Sequence, residues 1–287
     1  MSEKSALPVM KEIDENEIKV FIDKIKQISD YDFSGYSDKS LKRRLQKILF
    51  DNELDFKTFC DKIEHNKSFL EKIVKNITVN TTELFRDPYV WISLFHEILP
   101  LFLNQSVINI WHAGCSTGQE VYSMLILLNE LNLLEKSNLY ATDLNSDVLE
   151  HARSGIYDYR FNLNYLDNFD KVLRQDLNDQ NYNVEYSKYF TIDEKNDRIK
   201  MHSFLTEKPV FKKLDLVRSI NPFPVKYDLI ICRNVIIYFN YELQNKVFKL
   251  FNNNFNPGGC LILGVHETML GPVSIYFEKK FQGYFKK

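Results

Sequence analysis

The segment VINIWHAGCSTGQEVYSMLILL, residues 107 to 128, changes its period in the middle. Val107 to Ala113 alternates and is β-branched, the pattern of a strand. The residues after Gly118 repeat their apolar positions at helical three- and four-residue steps. Between the two lies Gly114-Cys115-Ser116-Thr117-Gly118. A strand that breaks at a glycine turn and restarts as a helix commits its surroundings to α/β layers. It also places a ligand-sized recess at the strand's carboxyl end.

The rest of the second half repeats the alternation. Strands are expected at 107–113, 138–143, 211–216, 227–232 and 260–265. Helices are expected at 119–131, 146–154 and 242–255. Asn145-Ser146 supplies a start signal and Gly155 a stop; Pro257-Gly258-Gly259 ends the last helix. The closing run SIYFEKKFQGYFKK reads as a hairpin. This order predicts an α/β fold with a doubly wound, mostly parallel sheet and an antiparallel hairpin at its edge. Residues about 158 to 213 are too polar and too long for a connection. They read as a small inserted α/β subdomain with a helix near 163–177 and strands near 188–192 and 198–204.

The first half differs. Ile18, Phe21, Ile22 and Ile25, then Leu41, Leu45, Ile48 and Leu49, then Phe56, Phe59 and Ile63, then Phe69, Leu70, Ile73 and Val74 keep helical spacing with no strand pattern between them. Four parts follow: a disordered tail at 1–13, a small all-helical domain at 14–78, a linker or lid at 79–91 and the α/β domain at 92–287. Pro88 marks the first turn of a new helix after the linker.

Composition excludes several classes. A formal charge of −2 opposes a general nucleic-acid binder. Cys60, Cys115, Cys232 and Cys260 form no C-x-x-C pair, so neither a zinc site nor a disulfide framework is expected. The N-terminus has no apolar signal core, and no apolar run approaches the roughly 20 residues that span a bilayer. A soluble, cytoplasmic monomer is expected.

The glycine loop narrows the ligand. A P-loop needs Lys-Ser/Thr after its second glycine, whereas Gly118 is followed by Gln119 and Glu120. A dinucleotide site wants G-x-G-x-x-G, and Glu120 would repel its diphosphate. A carboxylate here suits a cation. S-adenosylmethionine carries an α-ammonium, a sulfonium and a ribose diol, but no phosphate. Asp143, closing the second strand, stands where an acid meets ribose hydroxyls. His112, on the strand beside the loop, reads as a packing residue, and Asn234 as a residue that holds a turn through its side chain.

Five segments then carry a resemblance: NTTELFRDP (80–88), AGCSTGQEVYS (113–123), ATDLNSDVLEHARSGIY (141–157), CRNVIIYF (232–239) and the glycine pair leading to His266-Glu267. In order and spacing the chain, from about residue 15 to 285, resembles the CheR-type chemotaxis receptor methyltransferases. These transfer a methyl group from S-adenosylmethionine to receptor glutamates and release S-adenosylhomocysteine.

The resemblance implies a role for each matching position. Asn80, Thr82 and Arg86 belong to the segment that closes over the cofactor. Gly114, Glu120, Asp143, Asp215, Leu216, Cys232 and Arg233 line it. Arg86 and Tyr238 are the candidate catalytic residues and orient the carboxylate. Without the resemblance, Arg86 reads equally as an ion-pair partner of Asp87. The basic stripe Lys39, Arg43 and Lys47 falls where the family meets its receptor; taken alone it reads as a solvated helix face. No metal is expected, and the partner is a helical chemoreceptor region or a related helical signalling protein. An NAD-dependent oxidoreductase and a non-catalytic S-adenosylmethionine-binding adaptor are the alternatives. Some family members dock a receptor peptide by strand addition at a glycine-containing loop of the inserted subdomain. No glycine lies between Gly155 and Gly258, so that loop is expected to be absent.

Overall fold

The computed structural model describes residues 12–78, 81–174, 183–218 and 220–287. The chain forms two compact units, one of residues 1–79 with 238–243, the other of 80–237 with 244–287.

In the first unit, helices α1 (Glu15–Ile28), α2 (Asp38–Asp51), α3 (Phe56–His65) and α4 (Lys67–Ile77) follow the apolar spacing of the sequence. Asp14 and Glu17 start α1 with a reciprocal capping box, which satisfies two backbone donors of the helix end. Phe21 stacks on Phe33 at 6.1 Å and on Phe59 at 5.9 Å, and Phe59 meets the edge of Phe69 at 6.2 Å. A segment from late in the chain completes this unit. Ser37 donates its N–H to the Tyr238 carbonyl at 2.8 Å, Asn240 donates to Gly35 at 2.8 Å, and Tyr36 lies against Phe239 at 5.3 Å.

The second unit opens with α5 (Pro88–Ser93), with Pro88 in its first turn as expected. A π-helical turn (Leu94–Ile98) and a 3-10 turn (Leu99–Phe102) prolong it. Then come β1 (Ile108–Ala113), α6 (Gln119–Glu130), β2 (Ser137–Asp143), α7 (Ser146–Ser154) and β3 (Ile156–Asp158). They are followed by α8 (Leu163–Leu173), β4 (Phe190–Asp193), β5 (Arg198–Met201), α9 (Ser203–Thr206) and β6 (Pro209–Lys213). The chain closes with β7 (Tyr227–Cys232), α10 (Tyr241–Asn254), β8 (Phe255–Leu263), β9 (Phe277–Lys280) and β10 (Gly283–Lys286).

Seven strands form one sheet in the order β6-β2-β1-β7-β8-β10-β9. β6 through β8 pair in parallel, and the hairpin β9–β10 adds antiparallel to β8. Within the parallel part, β2 and then β6 lie on one side of β1, and β7 and then β8 on the other. The crevice at such a reversal, outside the carboxyl ends of β1 and β7, is where open α/β sheets hold their ligands. α6 is buried along nearly its whole length, so it carries no polar face.

The sheet departs from expectation in its last parallel strand. β8 begins at Phe255 and runs through Pro257-Gly258-Gly259, with a register shift opposite Tyr227 and Leu229. The glycine pair lies in an irregular strand entrance instead of a free turn. The insertion is a three-stranded antiparallel sheet, β3-β5-β4, and Phe169 of α8 meets the edge of Phe190 in β4 at 5.9 Å; the part of the expected helix at 175–177 lies outside the described residues.

The glycine argument against a tight loop in this insertion does not hold. The β4–β5 turn places Asp197 in the left-handed region at φ 55°. Asp193 accepts hydrogen bonds from the Asn196 N–H and side-chain amide, and Asp197 accepts one from the Arg160 N–H. Aspartate, which enters the left-handed region more readily than most residues, takes the place of glycine there.

Candidate active site

The glycine loop joins β1 to α6 and demands two glycines. Gly114 has φ 90°, and a Cβ on it would lie 2.4 Å from Cγ2 of Val235. Gly118 has φ 91°, and a Cβ on it would lie 2.8 Å from Ala152. Between them Ser116 is left-handed at φ 49°. That conformation is held by Asp143, whose Oδ2 accepts the Ser116 N–H at 2.8 Å and whose Oδ1 accepts the Asn145 N–H at 3.0 Å. Asp143 is half-buried. Burial pushes its carboxyl above the ordinary range against the pull of the backbone donors at Asn145, Ser116 and Leu144. The buried Ser116 hydroxyl has no partner among the described residues. An open hydroxyl beside a carboxylate, in a loop that contributes no cation, fits a polar ligand without phosphate.

Glu120 is buried in the first turn of α6. His112 Nδ1 lies 3.0 Å from its Oε1, and Arg233 Nη1 donates to its Oε2 at 3.3 Å. Burial pushes the Glu120 carboxyl up. The hydrogen bond and charge of His112 and the charge of Arg233 outweigh that and hold it below the usual range. His112 is therefore more than a packing residue: it is a direct partner of a site carboxylate, with its Nε2 buried and unpartnered among the described residues.

Arg233, at the end of β7, joins the linker to this network. Its Nη2 donates to Asp87 Oδ2 and to the Arg86 carbonyl, both at 2.8 Å, and its guanidinium lies 5.6 Å from the Trp91 ring. Asp87 is thus the partner of Arg233, not of Arg86. The Arg86 side chain is half-buried and donates to the Thr81 carbonyl at 3.1 Å. Thr82 is half-buried, and its carbonyl accepts the Tyr165 hydroxyl at 3.1 Å. Asn80 lies outside the described residues.

Beyond β6, Asp215 accepts the Val217 N–H at 2.9 Å, and Leu216 is buried. Cys232 is fully buried, like the other three cysteines, and burial pushes all four thiols up, Cys60 to about 11. Such thiols are not nucleophiles near neutral pH. In the first unit Tyr238 is half-buried. Lys39, Arg43 and Lys47 lie exposed along one face of α2, with Lys47 paired to Asp51 at 2.8 Å.

Sequence reasoning assigned no role to Glu267. Its carboxylate accepts the N–H groups of Gly264, Asn234, Val235 and Ile237. The turn after β7 is consequently held by Glu267, not by the side chain of Asn234. The signal was the Glu267 that closes the fifth motif, an acid at the end of a buried strand.

Comparison with known proteins identifies the family. Residues 80–283 match the family model described as CheR methyltransferase, SAM binding domain, and residues 16–78 match CheR methyltransferase, all-alpha domain. The chain is 34% identical over 258 residues to a Pseudomonas putida protein bearing the name methyltransferase Cher3, covering 88% of this chain and 89% of that one. It is 31% identical over 245 residues to the chemotaxis protein methyltransferase of Borreliella burgdorferi, covering 80% of each. Among solved structures, a glycopeptide N-methyltransferase complexed with S-adenosylmethionine aligns with a TM-score of 0.32 at 11% identity, over 57% of this chain and 47% of that one. With an all-helical unit ahead of an α/β unit whose loops meet at the carboxyl ends of β1, β2 and β7, the chain belongs to the CheR methyltransferase family.

Proposed function

We propose that the protein methylates glutamate side chains of chemoreceptors or related helical signalling proteins, using S-adenosylmethionine. The observation that carries this reading is the Asp143–Ser116 grip on a glycine loop that offers no phosphate-binding cation. Asp143 would take the ribose hydroxyls. Glu120, with one lone pair of each oxygen already engaged, keeps acceptor capacity for an ammonium. Thr82, Arg86, Gly114, Asp215 and Leu216 would complete the pocket, with Asn80 from the linker motif and with the buried Cys232 and Arg233 behind it. When bound, S-adenosylmethionine supplies a methyl group on a sulfonium, a good leaving group.

A substrate glutamate, with an ordinary pKa of about 4.3, is already ionised at neutral pH, so no general base is required. What remains for the chain is orientation and exclusion of water, and orientation alone can lower a barrier by roughly 7–11 kcal/mol. Arg86 and Tyr238 would aim the carboxylate through hydrogen bonds. They must not over-stabilise it, because only stabilisation that favours the transition state accelerates the reaction.

Incubation with labelled S-adenosylmethionine and a lysate of the host tests the reading. Glutamyl esters give label that base releases as methanol; base-stable label would refute glutamate as the acceptor. Asp143→Ala should bind the cofactor more weakly in calorimetry, and wild type should ignore NAD and ATP. NAD binding would favour the oxidoreductase alternative.

A further inference from the structure

Glu267 sits just past the end of β8 and is buried. Its two oxygens divide four backbone donors. Oε2 accepts Gly264 N–H at 2.6 Å and Asn234 N–H at 2.8 Å; Oε1 accepts Val235 N–H at 2.9 Å and Ile237 N–H at 3.1 Å. Three of these donors belong to one loop, the one that leaves β7 after Arg233 and leads into Tyr238. That loop starts in the left-handed region, with Asn234 at φ 58°. Asparagine tolerates that region, and the bond from its N–H to Glu267 holds it there.

The packing around the carboxylate is specific to this task. A Cβ on Gly264 would fall 2.7 Å from Glu267 Oε2 and 2.8 Å from Asn234 N, so only glycine lets the carboxylate and the loop meet. On its far side the same loop sends Val235 into the space left by the absent side chain of Gly114. A single carboxylate therefore sets the course of the chain from Asn234 to Ile237, which packs on the glycine loop through Val235. It does so through bonds that a charged acceptor makes stronger than a neutral one would.

We infer that Glu267 is a positioning residue for methyl transfer. By gripping Asn234, Val235 and Ile237 it fixes the loop that precedes Tyr238 in the sequence, and it acts on turnover more than on cofactor binding. This rests on the methyltransferase reading above. The asymmetry follows from independent anchors. The glycine loop is held by Asp143, and Arg233 is held by Asp87 and Glu120, so Glu267 reaches the cofactor side only through the packing of Val235 on Gly114.

The test compares full-length wild type, Glu267→Gln and Glu267→Asp. Glutamine keeps one acceptor oxygen and turns an amide N–H toward two of the four donors. Aspartate keeps both oxygens on a shorter arm. Three quantities are read: affinity for S-adenosylhomocysteine by calorimetry, methyl transfer to protein under saturating cofactor, and hydrogen exchange of the 234–237 amides.

For Glu267→Gln, turnover should fall on the order of tenfold or more, since misplacement by about 1 Å can cost on the order of a hundredfold. Affinity for S-adenosylhomocysteine should change by less than about threefold, because the cofactor-side anchors are untouched. Exchange should rise at 234–237, and Glu267→Asp should recover part of the turnover. Wild-type turnover in the glutamine variant would overturn the inference. So would parallel loss of turnover, cofactor affinity and folded fraction, which marks a purely structural role. If glutamine prevents folding, the aspartate variant carries the same comparison. A wild type that transfers no methyl to any protein removes the methyltransferase reading and this inference together. An active wild type matched by its variants removes the inference alone.

Discussion

Asp87 Oδ2 accepts a 2.8 Å hydrogen bond from Nη2 of Arg233, 146 residues further along the chain. The two ends of this pair are not equivalent. The Arg233 side chain is 1% exposed, while that of Asp87 is 31% exposed. Removing a fully buried ion leaves its partners uncompensated, whereas removing a half-exposed one lets water replace it. Arg233→Met should therefore lower the free energy of unfolding by about 3–5 kcal/mol. Asp87→Asn should lower it by no more than about 1 kcal/mol. Urea denaturation of the two variants measures the difference; equal losses would show that Arg233 is not the hub.

Glu120 gives the fold an acid-sensitive element. Its folded pKa lies below the ordinary 4.5. The stability it contributes is complete above pH 4.5 and is lost as pH falls through the lowered folded value. Asp143 and Glu267 have the opposite sign. Burial raises both, so their protonation favours the folded state between the raised folded value and the ordinary 3.8 or 4.5. Unfolding midpoints followed downward from about pH 6 should decline less steeply below pH 4.5 in Glu120→Gln than in wild type. An unchanged slope would mean that the His112 and Arg233 contacts do not act on this carboxylate.

Arg86→Ala and Tyr238→Phe should reduce turnover more than they reduce the folded fraction. The loss of one orienting hydrogen bond should cost on the order of 1–3 kcal/mol in the barrier. Arg86→Ala should also weaken S-adenosylmethionine binding, because its segment carries the other linker positions. Initial rates set against melting curves decide this, and wild-type rates in both variants would move the reaction elsewhere.

Lys39 and Arg43 stand exposed on α2 and make no ion pair among the described residues, whereas Lys47 is offset by Asp51. A stripe of this kind steers an acidic helix and is screened by salt. Lys39→Glu with Arg43→Glu should raise the apparent KM for the protein substrate and leave cofactor affinity and melting temperature nearly unchanged. Wild-type activity should fall with ionic strength more steeply than that of the double variant. Parallel salt curves would reduce the stripe to a solvated face.

What the sequence made legible was periodic or covalently obvious. Strand–helix alternation placed β1, β2, β7 and their helices to within a residue or two, and the Asn145 cap and Gly155 stop bound α7 as the residues dictate. What it hid was long-range and polar. Nothing in the spacing of Asp87, Glu120 and Arg233 announces that they share one guanidinium, because buried ion pairs depend on which strand ends become neighbours. Glu267 was hidden for the same reason: its donors are backbone amides, which carry no residue signature. The β4–β5 turn misled because Asp197 adopts a conformation that glycine favours but does not own.

The return of residues 238–243 to the first unit bears on the order in which the protein can be made. A ribosome emits all four helices of that unit by residue 77, yet its remaining segment leaves the tunnel only after β7 is complete. Until then Ser37 N–H and the Gly35 carbonyl wait for partners, and the Tyr36 ring lacks Phe239. The unit cannot be finished as an independent N-terminal module; it closes only when most of the chain exists. A fragment ending at residue 79 would stop at that unfinished stage, with a Gly35 surface that Leu243 covers in the whole protein. Gene truncations that treat the helical region as a detachable piece would cut through one compact unit.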